Sequence, residues 1–225
     1  ARGWRQTGLS ARTFPAWPGL LPAMAGFSAT IPFLSVVARM LREPGFSLRQ
    51  RAQASLAAGG VLAYPTESCF GLGCHPASAH GLRRILALKR RPMHKGMIVV
   101  GASWAQLAPY VAPLSLAEQA RLADYWPGPV TLLLPASRRV LPLLRGRHRK
   151  LAVRISAHPD TVRLCQLLGS ALVSTSANCA GARALKSARA CQRQFGPRVL
   201  TVPGRIGQRR QPSTIIDFET GRVLR

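Results

Sequence analysis

The sequence predicts an α/β layered domain with a partly parallel sheet, and three observations carry that expectation. From Phe46 onward, short apolar runs of strand length alternate with longer segments of helical period. Hydrophobic residues make up 47% of the chain and charged residues 17%, the balance of a packed globule. A length of 225 residues with no evident internal repeat suits one well-cored domain with extra segments.

Element by element, Ser47 to Ala58 reads as a helix ended by Gly59 and Gly60. Val61–Tyr64 is a short apolar strand stopped by Pro65. A helix follows from about Ala77 to Arg90, with Leu82, Ile85, Leu86 and Leu88 as its apolar side, and Pro92 lies beyond it. Met97–Val100 is the next strand. Ser115 and Glu118 form a capping box that opens a helix reaching Tyr125. Strands are expected at Val130–Leu134 and Leu151–Ile155, a helix near Pro159–Leu168, a strand at Ala171–Ser174 and a helix around Ser187–Phe195. Short strands at Val199–Val202 and Thr214–Asp217 complete the pattern.

Residues 1–45 differ from residues 46–225. They hold five prolines, no acid before Glu43, and an uncharged stretch from Thr13 to Ala38. Pro22 and Pro32 interrupt that stretch, which argues against a continuous membrane-spanning helix. An Arg-bearing, acid-poor start fits a transit peptide; translated upstream sequence before Met24 or Met40 fits as well and is the favoured reading. The segment is expected to be disordered or not native and to carry no chemistry. Five cysteines with no CxxC pair, and no clear secretion signal, point to free thiols in a reducing, cytoplasmic setting. Cys69, Cys74, His75 and His80 are too crowded for a common zinc module, so no protein-bound structural metal is expected.

Thirty-two Lys and Arg stand against seven acids, a formal charge of +25. Such a field attracts nucleic acid, nucleotides or an anionic surface, although coding bias toward Arg and Ala produces the same surplus. The chain lacks a GxxxxGK[ST] loop, and Gly71 and Gly73 do not extend to GxGxxG. Its acids are too few for a two-metal centre, which argues against most nucleases and polymerases.

Five segments offer chemistry. Tyr64-Pro65-Thr66-Glu67 is a polar turn at a strand's end, where Thr66 can bond a substrate or merely shape the turn. Lys89, Arg91 and Lys95 gather at a helix terminus; they suit phosphate oxygens, or simply the helix dipole at about 0.3–1 kcal/mol each. Arg154 interrupts an apolar strand, so it faces a cavity or an anion unless that strand is a wet edge. Ser174-Thr175-Ser176-Ala177-Asn178 can form an anion-binding nest or a plain polar loop. Ser213, with Arg209 and Arg210 just before it, can add phosphate contacts or be an ordinary loop.

In this order the segments resemble the YrdC family of threonylcarbamoyl-AMP synthases, in its short bacterial TsaC type, over about Phe46 to Arg225. The resemblance rests on Ala63-Tyr64-Pro65-Thr66-Glu67, on Lys89, Arg91 and Lys95-Gly96, and on Trp126-Pro127-Gly128-Pro129-Val130-Thr131. It continues through Ala152-Val153-Arg154, Ser174 to Asn178, and Pro203-Gly204 through Ile215. It implies a single open, twisted mixed sheet with flanking helices and a large basic cavity. It also implies a nucleotidyltransferase that joins L-threonine, bicarbonate or CO2, and ATP into threonylcarbamoyl-AMP for the threonylcarbamoyl adenosine modification of tRNA. Lys89, Arg91 and Lys95 would then be catalytic, neutralising phosphates. Thr66 and Arg154 would bind threonine, and Ser174, Ser176, Asn178, Arg209 and Ser213 the nucleotide. Mg2+ would ride on the ATP phosphates; tRNA and downstream threonylcarbamoyl transferase proteins are further expected partners, and a membrane is not. Two departures stand out: His75 in place of the usual Asp, and Cys179-Ala180-Gly181 in place of Leu-Ser-Gly.

The competing reading is a non-catalytic module for double-stranded RNA or tRNA. Seven cations from Arg138 to Arg154 with no acid among them would serve it, with a steep salt dependence. A structural role, as in ribosome assembly, is a third possibility.

Overall fold

The computed structural model describes residues 47–225; the expected extension over residues 1–45 lies outside the described residues. The chain opens on α1 (Leu48–Ala57), capped reciprocally by Ser47 and Gln50, then enters β1 (Leu62–Pro65) and β2 (Phe70–Gly73). Next come α2 (Ala79–Lys89), β3 (Ile98–Gly101), the short α3 (Trp104–Leu107) and α4 (Leu116–Arg121). The Ser115–Glu118 capping box forms as expected, but the helix tightens to a 3-10 turn over Leu122–Asp124. β4 (Val130–Pro135), the short α5 (Pro142–Arg145) and β5 (Lys150–Ile155) follow. Then come α6 (Pro159–Leu168), β6 (Leu172–Ser176), α7 (Ala188–Phe195), β7 (Leu200–Thr201) and β8 (Thr214–Asp217).

The eight strands form one open mixed sheet in the order β7-β1-β2-β6-β3-β5-β4-β8. The pairs β7–β1, β3–β5 and β4–β8 are parallel and the other four antiparallel. Helices α1, α6 and α7 pack on β1, and α2 packs on β2. Among the described residues no helix is long and apolar enough to cross a membrane.

β2 is the strand that sequence reading did not anticipate. Phe-Gly-Leu-Gly has low strand propensity, because glycine loses more freedom on ordering than any other residue. The sheet nevertheless requires glycine there. A Cβ on Gly73 would collide with the Val173 carbonyl and the Tyr64 ring. Tyr64 is fully buried, and its hydroxyl donates to that same carbonyl at 2.9 Å. Tertiary fit overrides local preference at this point.

The two-residue period of the central strands divides the sheet into two faces. Leu132, Val153, Val99 and Val173 lie in register across β4, β5, β3 and β6, and all four are fully buried in the core. The neighbouring row, Leu133, Ala152, Ile98 and Ser174, is also in register and therefore points the other way, into a cavity. One layer of the sheet is thus both the roof of the core and the floor of a binding space.

β8 is bound to β5 across the intervening β4. Lys150 Nζ donates to both Asp217 oxygens at 2.7 and 2.8 Å and lies 2.8 Å from Glu219 Oε2. The Lys150 hydrogen bond holds the Asp217 carboxyl below its usual 3.8. A depressed carboxyl contributes stability above that value and loses it as pH falls through the lower folded pKa. Asp217→Ala is expected to cost about 1 kcal/mol at neutral pH. In urea titrations its deficit against the parent should narrow once the pH drops below 3.8.

Candidate functional site

The cavity over the Leu133–Ser174 row has a volume of about 920 Å³, near the upper end of the ~300–1,000 Å³ usual for small-molecule sites. Its wall draws Arg91, Arg154, Arg183, Lys186, Arg210 and Arg225 from widely separated parts of the chain. Arg145, His148, Arg149 and Lys150 add a further side, and none of the lining residues described is acidic. An anion entering this space meets positive charge on several walls, over an apolar floor that weakens screening by water.

On one side the site is built around the end of α2. Ser78 caps its start, and the helix closes with Arg90 in the left-handed region at φ 50°. That turn sends three successive cations to different places. Lys89 is buried at 3% exposure, Arg90 faces solvent, and Arg91 reaches the cavity wall. The Lys89 ammonium donates to the Ser176 carbonyl, to the Asn178 carbonyl at 2.9 Å and to Asn178 Oδ1 at 2.7 Å. An ammonium has three N–H groups, so all of them have acceptors. Ser176 Oγ also donates to Asn178 Oδ1 at 2.8 Å, and Asn178 Nδ2 donates to the Ala182 carbonyl. The loop after β6 is therefore folded around the Lys89 charge. Burial, with the Arg91 guanidinium nearby, pushes Lys89 down to about 8, and the three acceptors oppose that loss by favouring the charged form. Arg91 itself donates through Nε to the Lys95 carbonyl at 3.1 Å and through Nη2 to the Gly96 carbonyl at 2.9 Å.

On the other side, Arg154 follows Ala152 by two residues on β5 and so shares the cavity face. It is only 6% exposed, and Nη2 lies 3.1 Å from Glu67 Oε2. Glu67 Oε1 accepts from Ser156 Oγ at 2.7 Å, and Ser156 Oγ accepts from the His158 backbone N–H at 3.1 Å. Thr66 lines the cavity, while its hydroxyl donates to the Cys69 carbonyl at 2.7 Å and closes the turn after β1. Ser213 shares a 2.8 Å hydrogen bond with Thr131, and its carbonyl accepts from Arg225 Nε and Nη2, both at 3.2 Å.

Of the residues singled out from sequence, Thr66, Arg91, Arg154, Ser174, Ser176 and Ser213 converge on this one cavity. Four do not line it. Lys89 and Asn178 stand behind the wall, bonded to each other; Lys95 is exposed on the surface. Arg209 lies in a separate depression of about 350 Å³ beside Glu67 and His158, where it donates to the Gln211 carbonyl and to Thr214 Oγ1. Sequence reasoning gave no role to Glu67, Ser156, Arg183, Lys186 or Arg225. Among the described residues no group of three or more His, Cys, Asp and Glu gathers as a metal site.

Comparison with known proteins agrees with this architecture. The family model Sua5_yciO_yrdC, described as "Telomere recombination", matches residues 54–225. A protein of Chromobacterium violaceum called threonylcarbamoyl-AMP synthase is 62% identical over 184 residues, 82% of this chain and 95% of that relative. Among solved structures, P. abyssi Sua5 complexed with L-threonine superposes with a TM-score of 0.67 at 29% identity, over 74% of this chain. The chain spans about half of that longer protein, 49% of its length. E. coli YciO shares the fold with a TM-score of 0.66 at 23% identity, over 84% of this chain and 89% of that one.

Cys69 is the half-buried thiol on the cavity wall, whereas Cys74, Cys165 and Cys191 are buried. Burial raises the Cys69 pKa above the usual 9.0. Since the thiolate is the reactive form, its alkylation by iodoacetamide is expected to be slow near neutrality and to keep accelerating as pH passes 9.0. Peptide mass spectrometry at a series of pH values checks this, with Cys74 and Cys165 unmodified while the protein stays folded.

Proposed function

The chain belongs to the Sua5/YciO/YrdC family, and from that premise we propose that it is a threonylcarbamoyl-AMP synthase. It joins L-threonine, bicarbonate or CO2, and ATP, and supplies the product to threonylcarbamoyl adenosine formation on tRNA. The observation that carries this reading is the cavity itself. Arg91, Arg154 and the Ser174, Ser176 and Ser213 hydroxyls share one space over an apolar sheet floor.

The chemistry asks for such a space. The threonine amine attacks CO2 and loses a proton, giving a carbamate. A carbamate oxygen then attacks the ATP α-phosphorus, the bond to the bridging oxygen breaks, and pyrophosphate leaves. Both reactants are anions, so they approach only where fixed positive charge offsets their repulsion and water is displaced. Arg154 and Thr66 hold threonine, with the guanidinium taking its carboxylate. Arg91 faces the phosphates. Ser174, Ser176 and Ser213 bind nucleotide, and Lys89 acts on the same region through the Ser176–Asn178 loop it orders. Lys95 and Arg209 lie outside the wall and contribute only if the 92–96 and 203–212 segments move inward on binding. Mg2+ would come with the ATP phosphates.

A cytoplasmic location, contact with tRNA and delivery to a partner transferase belong to the same reading. The run of cations over residues 138–150 is the surface where an RNA backbone would meet this protein.

Incubation with ATP, Mg2+, bicarbonate and threonine is expected to release pyrophosphate only when threonine is present. Absence of release, beside tight and salt-sensitive tRNA binding, would replace the enzyme with a binding module. Lys89→Ala and Arg91→Ala are each expected to abolish turnover while circular dichroism shows a retained fold; turnover at the parent rate in both removes them from the reaction. For Arg154→Ala the threonine KM is expected to rise by roughly ten- to a hundredfold, the loss of one charge-assisted carboxylate contact.

A further inference from the structure

Arg154 occupies a difficult position. Its side chain is 7% exposed, it stands among other cations of the wall, and Arg225 is close enough for its own pKa to be lowered partly by the Arg154 charge. A guanidinium carries five N–H groups, yet among the described residues only Nη2 meets an anion, and Nε is buried with no hydrogen-bond partner among them. Packing and hydrogen bonds alone do not fix this group. Among the described residues its ion-pair partner is Glu67.

Glu67 is held through its backbone and through Oε1, while Oε2 is buried and approaches Arg154 as an ion pair without a hydrogen bond. The turn that carries it is closed by the Thr66 N–H and Thr66 hydroxyl, both donating to the Cys69 carbonyl at 3.0 and 2.7 Å. Its own carbonyl accepts from the Arg209 N–H at 3.1 Å. Its carboxylate is split between two partners, with Oε1 on the Ser156 hydroxyl and Oε2 on Arg154. Ser156 is 1% exposed and is fixed in turn by the His158 N–H and by its own N–H on the Gly101 carbonyl at 3.2 Å. The chain of contacts therefore runs from the ends of β3 and β5, through Ser156 and Glu67, which do not line the cavity, to Arg154, which does.

We propose that Glu67, locked by Ser156, is a positioning residue that aims the Arg154 guanidinium at the carboxylate of the amino-acid substrate. This rests on the threonine-binding role given to Arg154 above. Glu67 occupies one corner of the guanidinium and leaves the other N–H groups for a ligand. It also offsets the repulsion that neighbouring cations exert on Arg154, so the cation keeps one orientation before substrate arrives. Its side chain acts on threonine and not on ATP, because the carboxylate meets Ser156 and Arg154 and reaches neither Arg91 nor the serine-rich loop, and the backbone contact of its carbonyl with Arg209 does not involve the carboxylate.

Calorimetric titration of L-threonine onto the full chain, alongside pyrophosphate-release kinetics, tests this. Glu67→Ala is expected to weaken threonine binding and raise its KM about tenfold or more, with the KM for ATP within about twofold of the parent. Glu67→Gln should recover part of the loss, since the amide still offers an oxygen to Ser156 or Arg154. Parent-like threonine affinity in Glu67→Ala, or an ATP KM that rises in parallel, overturns the proposal. Should Glu67→Ala fail to fold, Ser156→Ala removes only the hydroxyl that locks the carboxylate. It is expected to shift the threonine KM in the same direction, and an unchanged value is equally damaging. The synthase reading fails differently: a parent protein that binds threonine but releases no pyrophosphate refutes it, while the binding comparison among variants still decides the role of Glu67.

Discussion

Two cations that a globular protein would ordinarily leave in water are here kept out of it, and the arrangement of the site follows from how each is compensated. Lys89 is answered by carbonyl and amide oxygens, Arg154 by a carboxylate. Removing the partner of a buried charge costs about 3–5 kcal/mol, so neither set of partners is free to drift. The Lys89 acceptors belong to the last residue of β6 and the loop that follows it, and the Arg154 partner belongs to the turn after β1. Each charge thus organises a segment that is distant in sequence, and the two segments lie side by side where β2 and β6 pair.

The floor is what allows those charges to matter. The core side of β3, β4, β5 and β6 is a continuous row of fully buried aliphatic residues, which fixes the register of these strands. A slip of one residue would send Arg154 into the core and Val153 into the cavity. Stability and binding are therefore linked through strand alternation: the hydrophobic row on one face determines which polar side chains are presented on the other.

Much of this fold was legible because its signals are local. α6 begins at Pro159 and ends before Gly169, so a proline suited to the first turn and a left-handed glycine mark both ends. The Ser115–Glu118 box and the β8 span Thr214–Asp217 are similarly local. β2 was not legible, since its Gly73 is explained only by the Val173 carbonyl and the Tyr64 ring that press on it. The four-residue helices α3 and α5 are too short to display a period. In the site, an arginine inside an apolar strand announced a cavity or counter-ion, but not that Glu67, 87 positions earlier in the chain, would supply it. Arg183, Lys186 and Arg225 looked like any other surface cation in so basic a chain, because only tertiary placement separates them from the rest.

The left-handed turn at Arg90 makes the triplet Lys89-Arg90-Arg91 a matter of address rather than sign. One member faces inward to oxygens, one faces solvent, and one joins the wall, although all three carry the same formal charge. A permutation of the triplet would leave composition, isoelectric point and long-range field untouched. It would nonetheless ask a planar fork to fill a nook shaped for an ammonium. Evolutionary drift that conserves only electrostatics is therefore barred at this corner, while the same drift is tolerated at exposed cations such as Arg138 and Arg139.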